Sequence, residues 1–148
     1  MAPAQVISAL LRLALAAVFI YAGVVKILDA QRFALDVQHY ELTPWTVSVL
    51  VAVYLPWLEV VAGIALILRR QQLGALVALG GMMAIFLSAL LSAWARGLDI
   101  SCGCFGRESR NIQTNFPLLL AQDLALLFVI GFLFAMEVRR AKAERAAM

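Results

Sequence analysis

The chain has 148 residues, of which 64% are hydrophobic and 14% are charged; its formal net charge is +3 and its mean hydropathy is +0.93. Soluble domains are about 45–50% apolar and about 25% charged, and a chain this short has too little interior to bury so much apolar surface. These values exclude a free soluble globule and a disordered chain, and nothing in the sequence indicates a nucleotide-binding loop or a nucleic-acid-binding surface.

Four long apolar blocks predict an all-α, polytopic membrane protein that folds as a single domain, a bundle of four transmembrane helices. The predicted spans cover residues 5–27, 46–68, 73–95 and 116–138. Each has about 23 residues, which is enough to cross a hydrocarbon core of about 30 Å with some tilt. The segments 28–45 and 96–115 are predicted to be loops at one end of the bundle.

Basic residues predict the orientation in the membrane. Four spans place both termini and the turn at 69–72 on one side. That side carries Arg12, Arg69, Arg70, Arg139, Arg140, Lys142 and Arg145. Because short cytoplasmic segments are enriched in Lys and Arg, we expect both termini to be cytoplasmic. The loops 28–45 and 96–115 then face the periplasm or the cell exterior of a bacterial inner membrane.

Charged residues inside the spans must find partners within the bundle. Arg12, Glu59 and Asp123 lie within spans, and Lys26 lies at the outer end of the first. Because Arg12 and Glu59 are each roughly 10–14 Å from the cytoplasmic end of their spans, we predict that they pair. Lys26 is predicted to bend its long stem toward Asp123. Such pairs either only fix helix register, or form a proton path or a site for an anionic headgroup.

The predicted outer end of the bundle also carries a histidine and a group of aromatic residues. His39 is the only histidine; it is either an ordinary surface residue or, if its loop folds over the cysteines, a proton acceptor or thiolate partner. The aromatic residues are those of an interfacial belt, or the wall of a site for a flat ligand such as a quinone. The candidates for a quinone site are Trp45, Trp94, Phe105 and Phe116.

The two cysteines of the chain lie two positions apart, as Cys102-Gly103-Cys104 in the loop 96–115. A disulfide across so small a ring is strained and exchanges easily, and Gly103 permits the backbone that the ring needs. The alternatives are a thiolate metal site, for which the chain is short of ligands, and a plain structural pair. We predict a redox-active pair and no metal site, because thiols on the outer side of the membrane are normally oxidised.

Several motifs resemble a known family. In chain order they are Arg12, Tyr21-Ala22-Gly23-Val24-Val25-Lys26, Leu55-Pro56-Trp57-Leu58-Glu59, Cys102-Gly103-Cys104-Phe105-Gly106 and Asp123-Leu124. The chain resembles the DoxX-like superfamily and, within it, the MauE-like branch. The resemblance implies a four-helix inner-membrane protein associated with periplasmic thiol chemistry. It further implies maturation of the disulfide-rich small subunit of methylamine dehydrogenase, alongside a thioredoxin-like partner.

The function predicted from the sequence is that of a membrane thiol–disulfide oxidoreductase or its electron-relay subunit. Cys102 or Cys104 exchanges with a disulfide of an exported thioredoxin-like or client protein, and the other cysteine resolves the mixed disulfide. Electrons pass to or from a membrane quinone. Two alternatives stay open: a non-catalytic maturation or assembly factor for a periplasmic enzyme, and a small lipid- or ligand-binding bundle in which Arg12 and Glu59 hold a polar group.

Overall fold

The computed structural model describes residues 3–69, 71–97 and 116–146, which are all-helical and contain no strand. This confirms the predicted fold class. The helices are α1 (Pro3–Leu28), α2 (Ala30–His39), α3 (Trp45–Ile67), α4 (Gln72–Ala95) and α5 (Phe116–Ala146).

Four of these helices are long and apolar enough to cross a membrane: α1, α3, α4 and α5. The protein is therefore a multi-pass membrane protein, and its spanning helices lie where the apolar blocks predict them. Because they alternate in direction, the beginning of α1, the end of α5 and the ends of α3 and α4 that follow each other in the chain lie at one end of the bundle, here called the terminal end. The other end carries α2, the end of α4 and the beginning of α5, and is called the α2 end.

The bundle is built from two close helix pairs, α1 with α3 and α4 with α5. α3 also packs against α4, and a smaller contact between α1 and α5 completes the ring. The main core cluster contains Leu66 and Leu79, which have no exposed surface. Many large apolar side chains, such as Tyr54, Ile85 and Phe128, point away from this core, as expected for helices whose outer faces meet lipid rather than water.

Two glycines bring α1 and α3 close together. A Cβ atom at Gly23 would lie 2.7 Å from Val60 Cγ2 and 2.8 Å from the Pro56 carbonyl oxygen, and one at Gly63 would lie 2.7 Å from Ile20 Cγ1. Small residues at a helix interface permit this close approach of backbones. The contacts place Gly23 level with Pro56 and Val60, so α3 extends beyond the end of α1 toward the α2 end.

The space beyond the end of α1 is occupied by α2, a segment that is predicted from the sequence to be part of a loop. Asp29 caps this helix, since its side chain accepts a hydrogen bond from the backbone nitrogen of Arg32 at 3.3 Å. The apolar face of α2 buries Phe33 and Ala34 against Ala52 of α3. The prediction that residues 28–45 form a loop is therefore wrong for most of that segment.

Side-chain hydrogen bonds fix the end of α2 to the beginning of α3. Ser48 is fully buried and donates to Gln38 Oε1 at 2.9 Å. Its hydroxyl also lies 3.0 Å from that of Thr43. The three residues connect the last turn of α2, the turn that follows it and the first turn of α3, so hydrogen bonds join α2 to α3 at this end of the bundle.

Candidate functional site

The strongest polar contact inside the bundle joins Lys26 of α1 to Glu59 of α3. Lys26 Nζ lies 2.6 Å from Glu59 Oε1, and the two side chains are only 7% and 6% exposed. The ammonium group also lies 5.0 Å from the centre of the Phe33 ring of α2, in a cation–π contact. Three helices therefore meet around one buried positive charge.

This contact corrects the predicted pairing of Arg12 with Glu59. Glu59 Cβ is 3.3 Å from the position of a Cβ at Gly23, and Arg12 lies 11 residues before Gly23, or roughly 16 Å along the helix axis. The prediction measured depth from the helix ends and so assumed that α1 and α3 end level with each other. Because α1 stops short and α2 fills the remaining depth, Glu59 meets Lys26 instead.

Asp123 of α5 lies on the same internal cavity as Lys26 and Glu59. It is buried. The ion pair that Lys26 makes is with Glu59, so the predicted pairing of Lys26 with Asp123 is not the one formed among the described residues. In the described part of the chain, Asp123 makes no ion pair within 4.0 Å. The buried atoms Asp123 Oδ2 and Glu59 Oε2 have no hydrogen-bond partner among those residues.

The cavity has a volume of about 60 Å³. Apart from its three ionisable residues, the described side chains around it are apolar: Val18, Phe19, Ala22, Phe33, Leu55, Met82, Met83, Phe86 and Leu126. Polar groups that are buried in such surroundings without partners are costly and are retained mainly where they function. This cavity, here called the Lys26 cavity, is the candidate site of the bundle.

Arg12 belongs to a different polar group, at the terminal end. With the Gln72 amide nitrogen turned toward Glu137, Gln72 donates to Glu137 Oε1 at 3.0 Å and accepts from Arg12 Nη1 at 3.2 Å. Arg140 lies 3.3 Å from Glu137 Oε1 and 3.4 Å from the Ser8 hydroxyl. The alternative in which Arg12 and Glu59 jointly hold one polar group is therefore wrong, since they belong to separate sites.

At the α2 end, Arg96 connects the end of α4 to the end of α2. Its guanidinium group donates to the carbonyl oxygens of Tyr40 and, at 3.3 Å, of Ser92. The buried Tyr40 ring packs edge-on against Phe86, with ring centres 6.0 Å apart. The point at which residues 98–115 leave α4 is therefore fixed to the end of α2.

The other candidates at the α2 end lie on the surface of the bundle or outside the described residues. Trp45 and Trp94 are 50% and 60% exposed, so they lie where a belt of interfacial aromatic residues would lie. Cys102, Cys104 and Phe105 fall outside the described residues, as does the side chain of Phe116.

His39 is exposed at the last residue of α2. It acts on Asp36, one turn earlier on the same helix. Burial raises the pKa of Asp36, while His39 and Arg32 oppose this rise. His39 is thus part of a small surface group of charges on α2. Within the described residues, no group of three or more His, Cys, Asp or Glu could hold a metal ion.

Two features of the site have no strong signal in the sequence. The contribution of Phe33 and Phe86 to the Lys26 cavity depends on how α2 and α4 pack. The role of Glu137, beside Arg12 and Arg140, depends on how α5 packs against α1 and α4. A usable signal existed for α2 alone, since Asp29 is a favoured capping residue and Phe33 and Val37 are spaced for one helical face.

Comparison with known proteins gives one consistent family. The family model described as methylamine utilisation protein MauE matches residues 4–136. Methylamine utilization protein MauE of Paracoccus denitrificans is 31% identical over 96 residues, which are 64% of this chain and 52% of the relative. The chain thus spans about half the length of the curated relative that it matches. No solved structure matches the chain.

Proposed function

Because the chain belongs to the MauE family, we propose that it is a membrane protein of methylamine utilisation that exchanges disulfides with an exported partner through Cys102 and Cys104. The partner is a thioredoxin-like protein or a disulfide-containing client. The relative's printed name supports the link to methylamine utilisation. The thiol chemistry rests on the Cys-Gly-Cys spacing and on the end of the bundle to which that segment is joined.

The observation that carries this proposal is the fixed geometry around the ends of the cysteine segment. α4 ends at Ala95 and α5 begins at Phe116, so the chain between them leaves from and returns to the α2 end. The basic residues Arg12, Arg69, Arg139 and Arg140 lie at the opposite, terminal end. If the positive-inside rule places that end in the cytoplasm, the cysteines belong to the oxidising side, where an exported protein can reach them.

The proposed exchange moves two electrons between the cysteine pair and a disulfide of the partner. A thiolate of the pair, for which we favour Cys102, attacks a disulfide sulfur of the partner; that S–S bond breaks, and the released partner thiolate takes a proton. The Cys104 thiolate then attacks Cys102, frees the second partner thiol and leaves a Cys102–Cys104 disulfide. The partner gains two electrons and the pair loses two. The reverse sequence oxidises a partner.

Renewal of the pair requires a two-electron carrier, for which we propose a membrane quinone. A dithiol gives two electrons and two protons to a quinone and yields a disulfide and a quinol; the reverse regenerates the dithiol. Trp45, Trp94, Phe105 and Phe116 remain the proposed aromatic wall of this site. His39 is the proposed acceptor of a thiol proton, which is supported by its exposed position on the α2 end.

We predict that a single cysteine variant traps the partner. In cells that express the full chain, Cys104→Ser should accumulate a mixed disulfide through Cys102, because the resolving thiol has been removed. Cys102→Ser should accumulate much less. The measurement is non-reducing electrophoresis after acid quenching and thiol alkylation, followed by identification of the trapped protein.

Ser101→Ala provides the matched control, since it alters the neighbouring side chain without removing a sulfur; it should behave as the unmodified chain does. The proposal fails if neither cysteine reacts with a reagent confined to the periplasm, or if neither variant forms a mixed disulfide. Equal trapping by both variants would contradict the assignment of Cys102 as the attacking residue.

A non-catalytic maturation factor is the second candidate. The α2 end favours it, because Gln38, Ser48 and Arg96 fix a surface on which a client could dock. In that case the variant with both Cys102→Ser and Cys104→Ser should still support maturation of the client enzyme. Loss of maturation in this variant, while its membrane level stays unchanged, favours thiol exchange.

A further inference from the structure

The Lys26 cavity contains more acids than bases. Among the described residues that line it, two carboxyl groups, Glu59 and Asp123, face a single ammonium group, Lys26. If all three were ionised, the cluster would carry one net negative charge within the bilayer-spanning part of the bundle. A net charge at that depth is costly, and uptake of a single proton makes the cluster neutral.

The contacts distinguish the two acids. Glu59 makes the direct ion pair with Lys26 at 2.6 Å, which stabilises its ionised form. Asp123 makes no ion pair within 4.0 Å among the described residues, and its buried Oδ2 lacks a hydrogen-bond partner there. A protonated carboxyl group has one fewer charge to solvate and gains a donor. Asp123 is therefore the acid on which the proton belongs.

The cavity has room for water through which a proton can exchange. Its volume of about 60 Å³ exceeds the roughly 10–15 Å³ of free space that one water molecule needs. The unpartnered oxygens of Asp123 and Glu59 and the ammonium group of Lys26 provide the polar partners that hold water. A dry cavity of this size would be expected only with an apolar lining.

We propose that the Lys26 cavity is a proton-binding site, in which Asp123 carries one proton that exchanges through water held between Asp123, Glu59 and Lys26. The charged groups that face Asp123 from the packed helices are Lys26 of α1 and Glu59 of α3. The described side chains that line the cavity from α2 and α4 are the uncharged Phe33, Met82, Met83 and Phe86. This inference does not depend on the cysteines.

Infrared spectroscopy of the full chain in micelles tests the proposal. At pH about 6, roughly two units above the usual pKa of an exposed Asp near 3.9, the protein should show the carbonyl stretch of a protonated carboxyl group. The band should shift in D₂O, because the proton exchanges with water. Asp123→Asn should abolish it. Glu59→Gln, which is expected to leave Asp123 beside Lys26, should also weaken it, because Asp123 is then ionised.

The expected effect of Glu59→Gln follows from charge balance. When Glu59 becomes an uncharged amide, Lys26 and Asp123 alone are neutral only if both are ionised, so Glu59→Gln should also reduce the band. Asp36→Asn is the control, because Asp36 is a carboxyl group in α2 that does not line the cavity; it should leave the band unchanged. The variant that lacks both cysteines should retain the band, so this test is independent of the proposed thiol exchange.

Each of these outcomes would overturn the proposal: no protonated carboxyl band in the unmodified protein at pH about 6, a band that survives Asp123→Asn, or a band that does not shift in D₂O. The first and third use the unmodified chain and so remain decisive even if Asp123→Asn fails to fold. Circular dichroism and elution volume establish whether that variant folds. A band that Asp36→Asn removes would assign the proton to the wrong site and would also overturn the proposal.

Discussion

Replacing Lys26 by Met should be among the most damaging single changes in the bundle, with an expected loss of about 3–5 kcal/mol in the free energy of unfolding. The substitution removes the partner of Glu59 and the only base on the Lys26 cavity among the described residues. Glu59 and Asp123 then remain in an apolar environment. Asp123 carries the proposed proton, and Glu59 becomes neutral only by taking up a second one, so the loss should diminish as the pH falls.

Replacing Glu59, the other residue of the ion pair, should lower the free energy of unfolding less. Glu59→Gln leaves Lys26 buried, but Asp123 still lies on the same cavity and is able to balance the ammonium charge. We therefore expect the loss from Glu59→Gln to be smaller than that from Lys26→Met. The variant with both changes should be more stable than Lys26→Met alone, because it leaves only one unpaired acid.

Unfolding in mixed micelles, followed by tryptophan fluorescence, measures these differences. Lys142→Met is the matched control, because Lys142 is exposed near the end of α5; it should change stability by less than about 0.5 kcal/mol. The interpretation would be contradicted if Lys26→Met were as stable as Lys142→Met, or if the loss did not depend on pH. If Lys26→Met does not accumulate, the free energy of unfolding of the variant with both Lys26→Met and Glu59→Gln is compared with that of Glu59→Gln, which still tests the order of stability among these variants.

The spanning helices were predictable because each depends on a local property. An apolar run of sufficient length, such as residues 73–95, predicts a membrane helix whatever it packs against. The same reasoning identified Lys26, Glu59 and Asp123 as residues that must face the interior, since a charge among apolar residues has few alternatives. The structure buries all three.

The pairing of these charges was not predictable in the same way. It depends on the axial offset between α1 and α3, which is set by the close contact of Gly23 with the Pro56 carbonyl oxygen and Val60. Nothing in the sequence at these three positions indicates that contact. Depth measured from the helix ends therefore assigned Glu59 to Arg12 and left Lys26 to Asp123 alone.

The missed helix α2 occupies the depth that this offset leaves beyond the end of α1. Its residues include Arg32, Asp36 and His39, and this mixture of charges resembles an exposed loop more than a helix. The helix is stabilised by packing that a sequence does not display: Phe33 and Ala34 lie against Ala52, and Gln38 binds Ser48. The DoxX-like placement of the family and the redox state of the cysteines remain predictions.

The two polar groups of the bundle differ in a way that bears on function. At the terminal end, Arg12, Gln72, Glu137 and Arg140 bind one another and line an open groove of about 380 Å³; of this group, the buried Arg12 Nε has no hydrogen-bond partner among the described residues. The Lys26 cavity has unpartnered oxygens on two acids, is surrounded by apolar side chains and lies nearer to the α2 end, where the cysteine segment is joined. The contacts of the terminal group are explained by stability and orientation, whereas the two acids of the Lys26 cavity call for a functional explanation.

Gly23→Ala should be the second most damaging change, because the site depends on the approach of α1 to α3. The added Cβ would lie 2.8 Å from a backbone oxygen, that of Pro56, and 2.7 Å from Val60 Cγ2. Backbone cannot move aside as a flexible side chain can, so the helices must separate at an expected cost of about 1–3 kcal/mol. That separation also lengthens the distance between Lys26 and Glu59.

Two other glycines provide controls for the expected loss of stability in Gly23→Ala. At Gly63 the nearest atom is Ile20 Cγ1, in a side chain that can shift, so Gly63→Ala should cost less than Gly23→Ala. At Gly81 no atom lies within 4 Å, and Gly81→Ala should be neutral or stabilise α4 by up to about 1 kcal/mol, since Ala favours a helix over Gly. Unfolding measurements that found Gly23→Ala equal to Gly81→Ala would mean that the close contact between α1 and α3 does not set the position of Lys26.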